Sequence, residues 1–547
     1  MSFLGAQNSI ALGVQGIIAI DTGVVGSADY LLAKSLRFRS SASAYLARTP
    51  ATATNQKTWT WSGWVKRGTL GTTQNLATVV NTGASLYFYL RFLSTDVLEV
   101  FTYNSAGSVF VWQLQTTQLF RDPAAWYHIV VATDTTQGTA SNRVKIYVNG
   151  AQITAFAIAT YPSASYDTVY NFNGASYVTS YLGAANFYDG ELAELNSVDG
   201  QALAPTAFGA SSIYNQWLPI KYAGTYGTNG FYLPFTNTAS TSTLVADSSG
   251  NANNWTPNNI SLTAGSTYDS LTDVPTLTSE TVANYCVLNP LGTAGSTPSS
   301  GNLAIASGAT IGNRISTFMV TSGKWYWEGI GDGYVGTIIG VQGDQFTGSV
   351  SVAGSKSIGY WYSDGLAYWD GGASATGTSY TSSDVIGVAL DMTAGNVKFY
   401  KNNTLIHDLT FGSGTIPNLS SGVFPGYNIG AATKSVNINF GQQPFTYTAP
   451  TGFLPLNTFN IAAGTVTTSG TFTGNLSTDG PFVYLNGTPT AMTINGNAVT
   501  FGTQADKLAN GFKVRSSLAS YNASGSNTYT ASVVGAVFKY EDAQSNP

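Results

Sequence analysis

An all-β chain of several domains is the fold class that this sequence predicts, on three observations. The first is composition. Charged residues make up 9 % of the 547, against about 25 % in ordinary globular chains, and Gly, Ser, Thr, Asn and aromatics take their place. Exposed helix faces would need Glu and Lys, which are scarce throughout. The second is alternation. In "SLYFYLRF", Leu86, Phe88, Leu90 and Phe92 point one way, and Ser85, Tyr87, Tyr89 and Arg91 the other. The third is a phrase written twice, "RVKIYVNGAQIT" at 143–154 and "NVKFYKNNTLIH" at 396–407. In each, an alternating strand runs into Asn-Gly or Asn-Asn, residues that tolerate positive φ and so predict a tight hairpin.

Taken in order, the chain opens with "MSFLGAQNSIALGVQGIIAIDTGVVG". It has no basic flank, and its uncharged run carries Gln7, Asn8 and Gln15, which suits neither a secretory signal nor a spanning helix. Residues 1–30 are therefore expected to dock into a partner. Residues 31–212 read as strand after strand. "TWTWSGWVK" sets Trp59 and Trp61 on one face and Trp64 on the opposite one, and "VFVWQLQ", "WYHIVVATD" and "RVKIYVNG" follow with the same alternation. Many short strands separated by Gly, Asn, Asp and Ser turns predict an antiparallel sandwich. Residues 213–300 show no sustained period and are expected to form an irregular connector, anchored by Trp217 and Trp255. A second sandwich is predicted over 301–455 from "GKWYWEG", "SIGYWYSDGLAYWDGG", "VIGVALDM" and "NVKFYKNN", with Ile386, Val388 and Leu390 on one face. Residues 456–547 complete the chain as a small C-terminal β module with a frayed end.

Charge and rare residues narrow the function. The formal net charge is −5 and the basic residues are scattered singly, which argues against nucleic acid. No stretch beyond the opening one approaches transmembrane length, so no membrane insertion is expected. The single cysteine, Cys286, rules out an intramolecular disulfide framework and reads as a small buried hydrophobe. The two histidines, His128 and His407, lie far apart. His128 reads as a structural strand residue that shares a face with Val130, with Ile129 and Val131 on the other.

Four elements in sequence, "TWTWSGWVKRG", "AWYHIVVATD", "RVKIYVNG" and "YDGELAELNSVDGQAL", resemble the laminin-G/pentraxin-like group of concanavalin-type jelly rolls over residues 31–212. "GKWYWEG", "IGYWYSDG" and "DVIGVALDMTAGNVKFYKNNTL" resemble a SPRY-type sandwich. Both resemblances imply twisted two-sheet jelly rolls, so the repeated phrase would be one hairpin solution used in each. The overall order, with "LAELNSVDGQALAPTAFG", "DSSGNANNWTPNN" and "ANGFKVRSSLASYNASG", resembles structural proteins of tailed bacteriophages. That resemblance implies a tail, neck or head fibre on the particle exterior. It would be joined to other virion proteins through residues 1–30, homo-oligomeric as a dimer or trimer, and would offer lectin-like surfaces to host polysaccharide. The other readings are a purely structural decoration or neck protein and, from the fold alone, a polysaccharide depolymerase.

Hydrolysis of a glycosidic bond needs two carboxylates flanking it. Jelly-roll hydrolases usually carry E-x-D-x-x-E on one strand, whereas "GELAELN" offers Glu191 and Glu194. Their odd spacing predicts opposite faces of the sheet, so no enzyme activity is expected. Asp332, Asp364 and Asp370 beside glycines read as turn residues. The binding reading rests on "GYWYSDGLAYWDGG", where aromatic faces could stack on sugar C–H groups. Tyr360, Tyr362 and Tyr368 are expected on one side and Trp361 and Trp369 on the other, one set filling the core, with Asp364 in the turn. No cofactor is expected. Calcium is the ion that the jelly-roll resemblance allows, near Asp189 and Asp199, though no dense oxygen cluster like an EF-hand loop is present.

Overall fold

The structure is a computed structural model. It describes residues 30–212, 216–291, 297–306, 312–331, 337–343, 356–369, 372–429, 435–461, 465–475, 482–484, 488–508, 511–515 and 519–534. The docking expectation for residues 1–30 therefore lies outside the described residues except for Tyr30, and so do Asp332 and Asp370.

Alternation becomes two layers in the first sandwich. One eight-stranded antiparallel sheet runs Ala151–Gln152, Val144–Val148, Trp126–Asp134, Thr58–Arg67, Gly190–Asp199, Ser35–Phe38 and Ser270–Leu271, with Phe231–Leu233 added on Gly190–Asp199. The opposing eight-stranded sheet runs Phe156–Thr160, Val109–Leu119, Val97–Asn104, Leu86–Phe92, Gln74–Asn81, Ser176–Val178, Tyr45–Arg48 and Thr256–Asn258. Trp59, Trp61, Phe88, Leu90, Phe92, Ile129 and Val131 meet in one core between them, whereas Trp64 lies in a separate outer cluster, as the alternation predicts.

The stretch expected to be an irregular connector is stitched into this sandwich. It supplies Phe231–Leu233 and Ser270–Leu271 to the first sheet and Thr256–Asn258 to the second. These strands are too short for a period to show, and their partners lie far away in sequence, so the residues alone give no signal. Trp255 enters the main core, and Trp217 covers the outer face of the first sheet beside Trp64 and Trp126.

The second sandwich repeats the design. Its first sheet centres on Lys324–Gly331 between Ser435–Asn439 and Val385–Asp391, followed by Asn396–Lys401 and Thr404–Thr410. The other runs Gly312–Ile315, Val423–Ile429, Thr337–Gly343, Ser357–Trp361, Ala367–Trp369 and Gly372–Ala373. Trp325, Trp327, Ile386, Val388 and Leu390 share its core, and Cys286 is fully buried there as a small apolar residue. Ala124 and Leu271, from the first sandwich, join the same core.

A buried polar seam joins the two bodies. Lys66 donates to Asp273 at 2.6 Å, to Asn284 at 2.7 Å and to the carbonyl of Tyr285 at 2.9 Å. The Asp189 carboxylate accepts the backbone N–H groups of Ser300 and Gly301 at 3.0 and 2.7 Å. Lys66, Asp273 and Asp189 each have several partners in this buried seam, the condition under which burying a charge is tolerable.

Both repeated phrases fold as tight hairpins. Asn149 and Gly150 take φ of 48° and 80°, and Asn402 and Asn403 take 47° and 66°. In each, the first Asn donates its N–H to a carbonyl on the strand behind it and accepts that residue's N–H on its side-chain oxygen. The partner is His128 for Asn149 and Val385 for Asn402. "INGN" in the C-terminal module uses the same device. Asn495 and Gly496 have φ of 48° and 79°, and Asn495 pairs in this way with Thr528.

Candidate functional site

The predicted aromatic cluster sits on a hairpin whose turn is held from below. Its strands Ser357–Trp361 and Ala367–Trp369 pair so that Tyr360 faces Ala367, Gly359 faces Tyr368 and Ile358 faces Trp369. Directly opposed residues share a sheet face. Tyr360 and Trp369 therefore both enter the core, and Trp361 and Tyr368 lie together on the outside, half-buried. This corrects the expected grouping of Tyr360, Tyr362 and Tyr368 against Trp361 and Trp369. Period-two counting cannot cross the turn, because the turn and not the sequence interval sets the register of the return strand.

Inside, Tyr360 stacks edge-on against His407 at 5.0 Å and donates its hydroxyl to the carbonyl of Thr378. The Trp369 indole donates to Thr415 Oγ1 at 3.1 Å. His407 Nε2 lies 2.9 Å from the carbonyl of Gly365, and burial lowers its pKa, so the neutral ring donates there and ties down the turn. Gly365, at φ 73°, packs so close to Thr378 and Ser379 that a Cβ would meet backbone at 2.1 Å. Outside, the rings of Trp361 and Tyr368 meet at 5.1 Å and 67°. Asp364 accepts the backbone N–H of Leu366 at 2.9 Å and the Tyr368 hydroxyl at 2.6 Å, which raises the tyrosine's pKa. The Trp361 indole N–H finds no acceptor among the described residues. Tyr362 is half-buried and packs edge-on against Tyr380 at 6.1 Å. The outcome is an aromatic corner with an exposed carboxylate beside it, the Trp361 indole N–H itself being buried.

A second aromatic surface was legible only in part. Tyr87, Tyr89 and Arg91 face outward, as the alternation of "SLYFYLRF" predicts, but the residues brought beside them come from later strands. Tyr89 stacks on Phe101 at 4.6 Å, Phe110 meets Phe101 at 5.2 Å and Tyr103 at 5.3 Å, and Arg91 lies 4.4 Å over Phe101. Phe110 is 46 % exposed at the rim of this surface. Pairing of Tyr103 with Phe110 across a register shift creates the contact, and no local motif announces it.

The first sandwich buries its other chemistry-bearing groups. Glu194 sits at a bulge, φ 52°, where the register against Thr58–Arg67 slips between Ala193 and Asn196. It accepts the hydroxyls of Tyr30 and Tyr232, residues of the outer layer, while Glu191 lies between Lys66 and Arg37 on the neighbouring strands. The expected opposite-face arrangement therefore fails, because the extra bulge residue resets the parity. Both carboxylates are nevertheless buried, and burial raises the pKa of each, Glu194 to about 7. Asp189 and Asp199, the acids considered for calcium, are filled by N–H donors from Ser40, Ser300 and Gly301 and from Asn171 and Asn229. His128 lies between Trp64 and Trp217, with ring centroids at 4.9 and 6.0 Å. The Trp217 indole donates to Nδ1 at 2.8 Å, so the proton sits on Nε2, 2.9 Å from Ser62 Oγ. Burial pushes its pKa down to about 3. It is a neutral structural residue.

Two family models match this architecture. Residues 40–206 match the concanavalin A-like lectin/glucanases superfamily, and residues 324–443 match the SPRY domain. The chain carries a concanavalin A-like domain and a SPRY domain. The aromatic corner at Trp361 and Tyr368 belongs to the SPRY domain, and the outward aromatic face at Tyr89 and Phe101 belongs to the concanavalin A-like domain. Among solved structures, the SPRY domain of human HERC1 is 20 % identical, with a TM-score of 0.22 over 25 % of this chain and 87 % of that one. The TRIM65 PSpry domain is 14 % identical, with a TM-score of 0.24 over 28 % and 88 %. Stonustoxin is 25 % identical, with a TM-score of 0.23 over 28 % of this chain and 27 % of its own. No curated protein sequence matches. The two domain families together support a role in binding or adhesion.

Proposed function

We propose that the chain is a fibre protein on the exterior of a tailed-bacteriophage particle, held to the virion by residues 1–30 and recognising host surface polysaccharide through its lectin-like domains. The observation that carries the recognition half is the Trp361–Tyr368 corner, two half-buried rings at 5.1 Å with an exposed carboxylate at the turn beneath them. Sugar rings offer C–H faces to such aromatics and hydroxyls to Asp364. The fibre half rests on the order of phage-like phrases along the sequence. Assembly as a dimer or trimer would multiply weak sites into avid attachment without improving any one of them.

The test is a pull-down of purified protein on intact host cells, with the size of released polysaccharide followed in the same tube. Binding with polymer length unchanged is expected. Trp361→Ala is expected to weaken binding about tenfold, roughly 1.4 kcal/mol, while the melting temperature is retained, because this ring is outside the core. Full binding by a folded Trp361→Ala protein would place recognition elsewhere, and shortening of the polymer would make the protein a depolymerase.

A further inference from the structure

The C-terminal module ends its larger sheet on an open strand. The sheet runs Thr465–Gly474, Gly525–Val534, Thr488–Ile494 and Asn497–Ala498, so Thr465–Gly474 is an edge. All ten of its residues pair with Gly525–Val534 without a register shift, and no strand lies on its other side among the described residues. Its sequence, TVTTSGTFTG, holds neither a charge nor a proline. Other sheet edges of the molecule are blunted. Ala151–Gln152, Gly372–Ala373 and Asn497–Ala498 are two residues long, Thr256–Asn258 contains Pro257, and Ala505–Leu508 carries Asp506 and Lys507. Register shifts break the pairing of Phe156–Thr160 and Thr404–Thr410. Shortness, charge, proline and bulges keep edge strands from pairing with another chain, and Thr465–Gly474 has none of these.

What fits such an edge is a strand of the same length and chemistry. Phe472 is buried in the core of the module, while Thr471 and Thr473 on either side of it are exposed. A second copy of the chain offers the same edge with the same inner and outer faces, and no charge on either strand repels the other. A two-fold axis perpendicular to the sheet makes the two strands antiparallel, keeps both cores on one side and closes the assembly at two copies. The described core of the module consists of Phe472, Met492, Ile494, Ala505 and Val514. A core this small is commonly supplemented by association.

We propose that two copies of the chain join through Thr465–Gly474, strand against strand, so that their two four-stranded sheets become one. The proposal rests on the fibre reading only in expecting more than one copy. Sedimentation of the full-length protein at micromolar concentration should give twice the mass of the chain. Thr471→Lys combined with Thr473→Lys sets like charges on the exposed side of the edge and should weaken association about tenfold, with the circular dichroism of the folded protein retained. Glutamates at the same two positions should do the same, and mixing the lysine and glutamate proteins should restore the dimer. If either variant does not fold, amide hydrogen exchange of the unaltered protein decides. Protection of residues 465–474 should rise with protein concentration across the association range. A monomer, a trimer, a dimer indifferent to the lysines, a mixture that stays unpaired, or exchange at 465–474 independent of concentration overturns the proposal. A monomer that still binds host cells would fail here and leave recognition standing, whereas a strand-paired dimer that binds no polysaccharide would do the reverse.

Discussion

Asn149 in the concanavalin A-like domain and Asn402 in the SPRY domain make the same two hydrogen bonds to the strand behind them, yet their surroundings differ. The first turn is built over. Trp217 from the 213–300 stretch lies so close to Gly150 that a Cβ there would meet its ring at 2.5 Å, and the same indole fixes the tautomer of His128. The second turn stands open, with Asn402 and Asn403 both exposed and Asn403 carrying a side chain at φ 66°. One local solution thus serves as a foundation in one domain and as a free edge in the other. Local sequence writes the turn, and distant sequence decides what it bears.

The sharpest way to break this comparison is Gly150→Val, set beside Asn403→Ala. The valine meets both the Trp217 ring and a left-handed backbone, so a loss of about 3 kcal/mol or more is expected, whereas the open position should lose about 1 kcal/mol. Denaturant unfolding of the two variants measures the difference. Equal losses would mean that Trp217 does not bear on the hairpin.

The next effect is one of pH. His128 is held neutral, with its pKa lowered to about 3 from an ordinary value near 6.5. Between these values the unfolded chain binds the extra proton, so stability is full above pH ~6.5 and falls as pH drops, by about 2 kcal/mol at pH 5. Glu194 acts in the opposite sense. Its pKa is raised to about 7, so its contribution is full below its ordinary value and is lost as pH rises through 7. His128→Gln should flatten the acid limb of the stability profile and leave the loss on the alkaline side. An unchanged acid limb would show that the Trp64–His128–Trp217 stack is not what acid disrupts. The smallest effect belongs to the open turn. Asn403→Gly should stabilise by a few tenths of a kcal/mol, read as a small rise in unfolding midpoint, because glycine takes positive φ without strain.

Much of the fold was legible because strand alternation is local. Trp59 and Trp61 against Trp64, and Tyr87 and Tyr89 against Phe88 and Leu90, fall on the faces that the sequence predicts. The positive-φ turns were equally plain, since Asn and Gly announce them. Legibility ended wherever parity had to be carried through an irregular backbone. The turn after Trp361 moved Trp369 into the core with Tyr360, and the bulge at Glu194 brought two acids to the same layer. The strands at 231–233, 256–258 and 270–271 were hidden for a related reason. They owe their existence to partners far away in sequence and carry too few residues to show a pattern of their own.

The pairing of Ser35–Phe38 with Ser270–Leu271 also sets an order in time. Arg37 and Asp269, an ion pair at 3.1 Å, lie 232 residues apart. At about 5–20 residues per second, a ribosome needs roughly 10–50 s to deliver the second after the first. Through that interval the N-terminal strand has an unmatched edge and the buried place of Trp255 stands empty. The nascent chain must therefore keep an apolar, strand-ready surface from pairing with its neighbours. Dilution or a holding chaperone during synthesis should raise the yield of folded protein more than any change in the finished structure.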